Sequence, residues 1–127
     1  MFGKKLKISQ LVEVHQVVSK LNGLKYVLKQ FDLRDMTHEQ KQDALMEAEF
    51  MQKLKHPNIV LHQASFEENQ KFIILMEFCE NADLENFIEL LNGQLLPEIK
   101  IWTLFGQIAR AVQCLHRIKI IHRDIKT

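Results

Sequence analysis

Apolar residues are frequent and partly alternate from Leu11 to Val18, and they alternate again from Tyr26 to Leu33. Asn22-Gly23 lies between them in a short polar stretch, so the pattern predicts a β-hairpin. Thr37 followed three residues later by Gln40 has the form of a capping box, and Ala44, Leu45, Ala48, Met51 and Leu54 then recur at helical spacing. A helix is predicted over 37–54. His56-Pro57-Asn58 stops it, and two apolar runs follow, Ile59 to Phe66 and Lys71 to Phe78, separated by the polar turn Glu67-Glu68-Asn69-Gln70. These read as two more strands. Asp83 can cap a short helix carrying Leu84, Phe87, Ile88 and Leu91, with Gly93 placed as a C-terminal glycine. Pro97 opens a long amphipathic helix whose buried stripe is expected to be Ile101, Phe105, Ile108, Val112 and Leu115. Strands with one helix come first and helices afterwards. That order is α+β, with a composition shift near Asn81 where a boundary can fall.

A length of 127 residues with 46% hydrophobic and 26% charged residues suits one soluble globular domain with one core. Seventeen basic against 16 acidic residues leave a formal net charge of +1, too weak a field to imply nucleic acid or an anionic membrane as partner. The longest apolar run, Phe72 to Met76, is far short of the roughly 20 residues that span a bilayer. Charged residues near the N-terminus stand where a signal peptide needs an apolar stretch, so a cytoplasmic protein is expected. Cys79 and Cys114 lack metal-type spacing and are expected to be free, buried thiols.

Two charges break the patterning. Lys29 falls on the same strand face as Val27 and Phe31, so its ammonium starts from an apolar surface and calls for an anion. Glu47, between Ala44 and Met51 in the apolar stripe of the predicted helix, offers one. A rim lysine that snorkels and a glutamate at the stripe's edge would give the same pattern.

The C-terminal segment Ile120-Ile121-His122-Arg123-Asp124-Ile125-Lys126 resembles the catalytic loop of protein kinases. The resemblance extends over nearly the whole chain through Tyr26-Val27-Leu28-Lys29, Glu47 in the following helix, and His56-Pro57-Asn58-Ile59-Val60, all in the kinase order. Ser65-Phe66-Glu67-Glu68-Asn69, Met76-Glu77-Phe78-Cys79-Glu80 and Asp83-Leu84 resemble the NIMA-related serine/threonine kinases in particular. The resemblance implies a truncated protein kinase-like fold. Residues 1–80 would form a sheet-rich N-lobe with the hinge, and 81–127 the start of a helical C-lobe ending in the catalytic loop.

It also implies ATP with Mg2+ as cofactors and a protein serine or threonine as acceptor. Lys29 would hold the α- and β-phosphates and Glu47 would fix Lys29. Asp124 would accept or orient the substrate hydroxyl proton, and Lys126 would contact the transferred phosphate. His122 would be structural, and Arg123 would meet a phosphorylated activation loop. Met76 would stand as gatekeeper behind the adenine, Glu77 to Cys79 would read the base through their backbone, Val14 and Val27 would close over it, and Asp83 would reach the ribose. For Met76 and the valines, core packing and a pocket wall coexist.

Two features depart from the family pattern. Lys7 to Glu13 stands where a glycine-rich loop is expected and contains no glycine, so close approach of that loop to phosphates is impaired. The chain also ends before the catalytic-loop asparagine and any Asp-Phe-Gly segment, where kinases hold their metal. These 127 residues are therefore expected not to transfer phosphate unaided, and the long helix is expected to leave apolar surface exposed. The alternative is a pseudokinase or non-catalytic binding module with a degenerate glycine-rich loop.

Overall fold

The computed structural model describes residues 3–8, 11–81 and 83–126. Its elements run β1 (Gly3–Ile8), β2 (Val12–Val18), β3 (Lys25–Asp32), α1 (His38–Lys53), β4 (His62–Glu68), β5 (Lys71–Glu77), α2 (Leu84–Leu90) and α3 (Glu98–Arg117). They fall into two compact units. One contains the residues up to Lys55 together with Val60–Phe78, and the other His56–Ile59 with the residues from Cys79 onward.

The first unit is a five-stranded antiparallel sheet in the order β1-β2-β3-β5-β4 with α1 packed against it. The predicted hairpin is β2–β3: Val18 pairs with Lys25, Ser19 N–H donates to the Leu24 carbonyl at 2.9 Å, and Gly23 takes φ +73° in the turn. That left-handed conformation is one glycine adopts without steric cost. The β4–β5 turn is tighter than the four polar residues suggested. Glu68 already pairs with Lys71, leaving Asn69 and Gln70, both at positive φ, as a two-residue loop of the kind that matches strand twist.

Alternation sets the core. Phe31 pairs with Val12 on one side and Phe72 on the other, and Lys29 pairs with Val14 and Ile74, so these six side chains share the sheet face that α1 covers. Phe31, Phe72 and Ile74 meet Ala44 and Ala48 there, with Val12, Leu33, Met36, Met51 and Met76 packed around them. Small residues on the helix let it approach the sheet. Leu45, expected in that stripe, is exposed, because the contact line runs through Ala44, Ala48 and the buried Leu54 instead.

The N-terminus of α1 is built as the capping box required. Thr37 Oγ1 accepts from Gln40 N–H at 3.2 Å, and Gln40 Oε1 accepts from Thr37 N–H at 2.8 Å. Just before it, Asp32 accepts from the Arg34 backbone and guanidinium, and that guanidinium holds the Asp32 carboxyl well below the usual carboxylate range. Thr37→Ala is expected to lower the unfolding free energy by about 1 kcal/mol, and Thr37→Ser to leave it nearly unchanged, both read as the urea midpoint at constant slope. Equal midpoints for the alanine variant and the parent chain would show that the cap is not what holds this end.

Strand β4 starts at His62 and not at Ile59. The apolar run misleads because Asn58 N–H donates to His56 Nδ1 and Ile59 N–H to the His56 carbonyl, which holds 56–59 in a turn. In the second unit, Asp83 caps α2 through Asn86 N–H at 2.9 Å, and Asn92 and Gly93 follow that helix at positive φ. Pro97 precedes α3 and its carbonyl accepts from Lys100 and Ile101 N–H, so it acts as the N-cap residue. The expected buried stripe of α3 is buried only at Leu115, while Phe105 is 61% exposed and Ile101 and Ile108 also stand exposed. Among the described residues, the one other helix of this unit has seven residues, too few to cover twenty.

Candidate functional site

The β3 pleat puts Lys29 beside Val14 and Ile74 on the helix-facing side of the sheet, and α1 presents Glu47 one turn from the buried Ala44 and next to Ala48. Nζ of Lys29 donates to Glu47 Oε1 at 2.7 Å and to Oε2 at 2.9 Å. The two charges that broke the patterning are partners. The ammonium also lies 4.9 Å from the centroid of the Phe31 ring, a geometry in which the ring's negative face attracts the cation. With side-chain exposures of 26% and 39%, the pair is open to solvent on one side. Its net contribution to stability is therefore modest, roughly 0–1 kcal/mol as for other solvent-reached pairs. What it fixes is position: an ammonium has three N–H donors, and two point at Glu47, which leaves one for an anion.

An open cavity of about 470 Å3 lies on the Glu47 side, between the start of β2, the end of β3 and α1, lined among others by Val12, Phe31, Met36, Asp43, Ala44 and Glu47. Val14, Val27 and Met76 do not line it. Those three are half-buried on the same sheet face, with Val14 paired to Lys29 and Val27 to Met76, so they form an apolar strip running away from the ammonium. Of the expected glycine-rich span, Ser9 and Gln10 lie outside the described residues. Val12 is already in β2 and its side chain packs against the core cluster, so bulk fills a place where a glycine would leave room.

At the end of β5, Glu77 N–H donates to the Leu61 carbonyl at 3.0 Å, and the Glu77 carboxylate accepts from Leu61 N–H at 3.0 Å. Nothing in the sequence pattern pointed to that use of the side chain. Next to it, Lys25 Nζ stands 5.7 Å from the Phe78 ring centroid. Cys79 is exposed, which corrects the expectation of a buried thiol: it lies past the strand end, where no sheet face covers it. His62, opposite Met76 in the ladder, carries the buried side-chain nitrogen Nε2 without a hydrogen-bond partner among the described residues, and no sequence signal marked it.

In the second unit, the Asp83 carboxylate accepts from the backbone and side-chain nitrogens of Asn86. Asp124 and Lys126 form an exposed ion pair at 3.0 Å, Asp124 N–H donates to His122 Nδ1 at 3.3 Å, and Arg123 between them takes φ +64°. The positive φ at Arg123 accompanies the contact of the His122 ring with the Asp124 main-chain N–H. Among the described residues, no group of three or more His, Cys, Asp or Glu side chains converges where a metal ion could sit.

Comparison with known proteins gives these arrangements a context. The family model described as protein kinase domain matches residues 7–127. Serine/threonine-protein kinase Nek4 of Mus musculus is 41% identical over 116 residues, covering 91% of this chain and 15% of that protein. Nek1 of Mus musculus is 39% identical over 111 residues, covering 87% and 9%, and Nek5 of Homo sapiens 38% over 100 residues, covering 79% and 14%. This chain thus spans less than a sixth of the length of these relatives. With a sheet-rich unit carrying a strand lysine paired to a helix glutamate, a helical unit after it, and this degree of identity, the chain belongs to the protein kinase domain family, in its NIMA-related serine/threonine branch, and corresponds to the N-terminal part of the kinase domain.

Proposed function

We propose that this chain binds ATP through the Lys29–Glu47 pair and serves ATP-dependent phosphorylation of protein serine or threonine residues as part of a NIMA-related kinase domain. The observation that carries the reading is the two-pronged contact of Lys29 with both Glu47 oxygens, at 2.7 and 2.9 Å. Phosphoryl transfer leaves the protein mainly positioning and charge neutralisation to do. A lysine held by a carboxylate on a separate helix does both, because its third N–H is aimed at a fixed place while the helix decides whether it is held there. Lys29 would take the α- and β-phosphates. Val14, Val27 and Met76 would wall the adenine, Glu77 to Cys79 would read its edge, and Asp83 would reach the ribose. Asp124 would receive the acceptor hydroxyl's proton. Lys126, two residues on, would meet the transferred phosphate, which favours serine or threonine as the acceptor.

Magnesium accompanies ATP in this family and would neutralise phosphate charge, but the described residues offer it no cluster of ligands. No residue of this chain is assigned to it. The place of work would be the cytoplasm, with ATP and a protein substrate as partners. No helix among the described residues is long and apolar enough to cross a membrane.

A second reading, a pseudokinase or non-catalytic binding module, rests on Val12: its side chain belongs to the core packing, and no glycine occurs from Lys7 to Glu13. Nucleotide titration with thermal unfolding separates the two. At a hundredfold excess over the dissociation constant, bound Mg-ATP stabilises the fold by about 2.7 kcal/mol, a rise of several degrees. No rise at millimolar Mg-ATP would sink the ATP-binding reading and leave the binding module.

A further inference from the structure

Leu61 and Glu77 close the β4–β5 ladder at its open end, and they do so asymmetrically. In an antiparallel sheet, a closely spaced pair exchanges two main-chain bonds, N–H to carbonyl in each direction. Here Glu77 N–H donates to the Leu61 carbonyl at 3.0 Å, but Leu61 N–H donates to Glu77 Oε1, also at 3.0 Å. The carboxylate has taken the place of the residue's own carbonyl. Both main-chain groups of a strand residue point to the same edge, so the Glu77 carbonyl faces the Leu61 side and not Tyr26, its partner across β3. Leu61 stands one residue before β4 begins, so this edge is a strand mouth and not a continuing ladder.

We propose that the Glu77 carboxylate is a positioning residue of the nucleotide site: by accepting the Leu61 N–H, it keeps the Glu77 main-chain carbonyl available as an acceptor for the exocyclic amine of a purine. This rests on the reading that Glu77 to Cys79 meets the base. Backbone recognition alone makes the side chain at 77 indifferent. The clasp makes it matter, because without the carboxylate the Leu61 N–H turns to the Glu77 carbonyl, and the purine amine must then share that oxygen's two lone pairs with a donor already seated in the plane of the sheet. An acceptor oxygen at the same reach is required, so glutamine substitutes and alanine does not. The selectivity follows from the chemistry of the base: the competition affects a 6-amino purine, and spares one whose 6-substituent is a carbonyl.

The test uses the 127-residue chain, Mg-ATP, and Mg-inosine triphosphate, which carries a carbonyl where ATP has the amine. Glu77→Ala is expected to weaken ATP about tenfold and leave inosine triphosphate nearly unchanged, while Glu77→Gln keeps both within about twofold. In the unsubstituted chain, through-hydrogen-bond scalar coupling should be absent between Leu61 nitrogen and the Glu77 main-chain carbonyl carbon, and it should appear in Glu77→Ala. That first measurement needs no variant to fold. Coupling already present in the unsubstituted chain, equal losses of both nucleotides in Glu77→Ala, or an unchanged ATP affinity would each overturn the clasp while leaving ATP binding intact. Absence of ATP binding by the unsubstituted chain would overturn the ATP reading and this inference with it.

Discussion

Lys29→Met is expected to abolish most of the stabilisation that Mg-ATP gives, while the ligand-free chain melts within a few degrees of its parent. Methionine keeps the length and apolar stem of lysine but removes the ammonium that sits 2.7 Å from Glu47 and over the Phe31 ring. A charge-assisted hydrogen bond to phosphate is worth about 1.5–3 kcal/mol, so nucleotide affinity should fall roughly ten- to hundredfold. The fold survives because Glu47, left without its cation, is 39% exposed and can hydrate, so the loss stays within about 1 kcal/mol. Glu47→Gln should fall between the two. It keeps an acceptor for one N–H of Lys29 but not the second charged contact, and the helix then holds the lysine less firmly. Titration calorimetry with Mg-ATP on the three chains checks the order. If Lys29→Met bound as tightly as the parent, the phosphate would lie elsewhere and the site drawn around Lys29 would be wrong.

The pair was legible in the sequence because both residues violate a period. Lys29 interrupts an apolar strand face and Glu47 an apolar helix face, and the two violations suggested each other; because a snorkelling lysine and an edge glutamate give the same pattern, it was the kinase order of the motifs around them that favoured the pair. The capping box at Thr37 and the Asn22-Gly23 hairpin were legible for a different reason: their chemistry is local. What escaped is set by tertiary partners. Strand β1 has lysines at 4, 5 and 7, which obscure alternation, and its pairing with β2 carries an irregularity between Lys5 and Lys7. Leu45 matches the helical spacing as well as Ala44, but only the packing shows that the sheet meets the alanine side. The α3 stripe was readable as apolar, yet whether it is covered depends on residues outside the helix, and most of it is exposed. The Glu77 carboxylate left no pattern at all, since a polar residue at a strand end is ordinary and its partner is a backbone group sixteen residues away.

Ile74→Ala is expected to produce the largest stability loss in the chain. Ile74 is fully buried, at 0% exposure, the most enclosed large side chain among the described residues. It stands in the middle strand of three, paired with Lys29 on one side and Ser65 on the other, and packs in the cluster with Phe31, Phe72, Ala44 and Ala48. Removing three carbons there loses transfer free energy and leaves a cavity, together about 2–5 kcal/mol. Against the roughly 5–15 kcal/mol that holds a small domain folded, that is a large share, and a midpoint drop of 10 °C or more is expected, on the order of a few degrees per kcal/mol. Ile74→Val, which loses one methylene, should cost only about 0.5–1.5 kcal/mol. Calorimetric melting of both variants checks the ratio. Equal, small shifts would mean that the sheet and α1 close over the gap, and that the core is less specifically packed than the complete burial of Ile74 suggests. The site shares this dependence. Ile74 is the cross-strand neighbour of Lys29, and it shares the core cluster with Ala44 and Ala48, which flank Glu47 on α1. A cavity under that pair loosens the lysine and the glutamate at once, so Ile74→Ala should weaken Mg-ATP even at temperatures where it remains folded, whereas Ile74→Val should not.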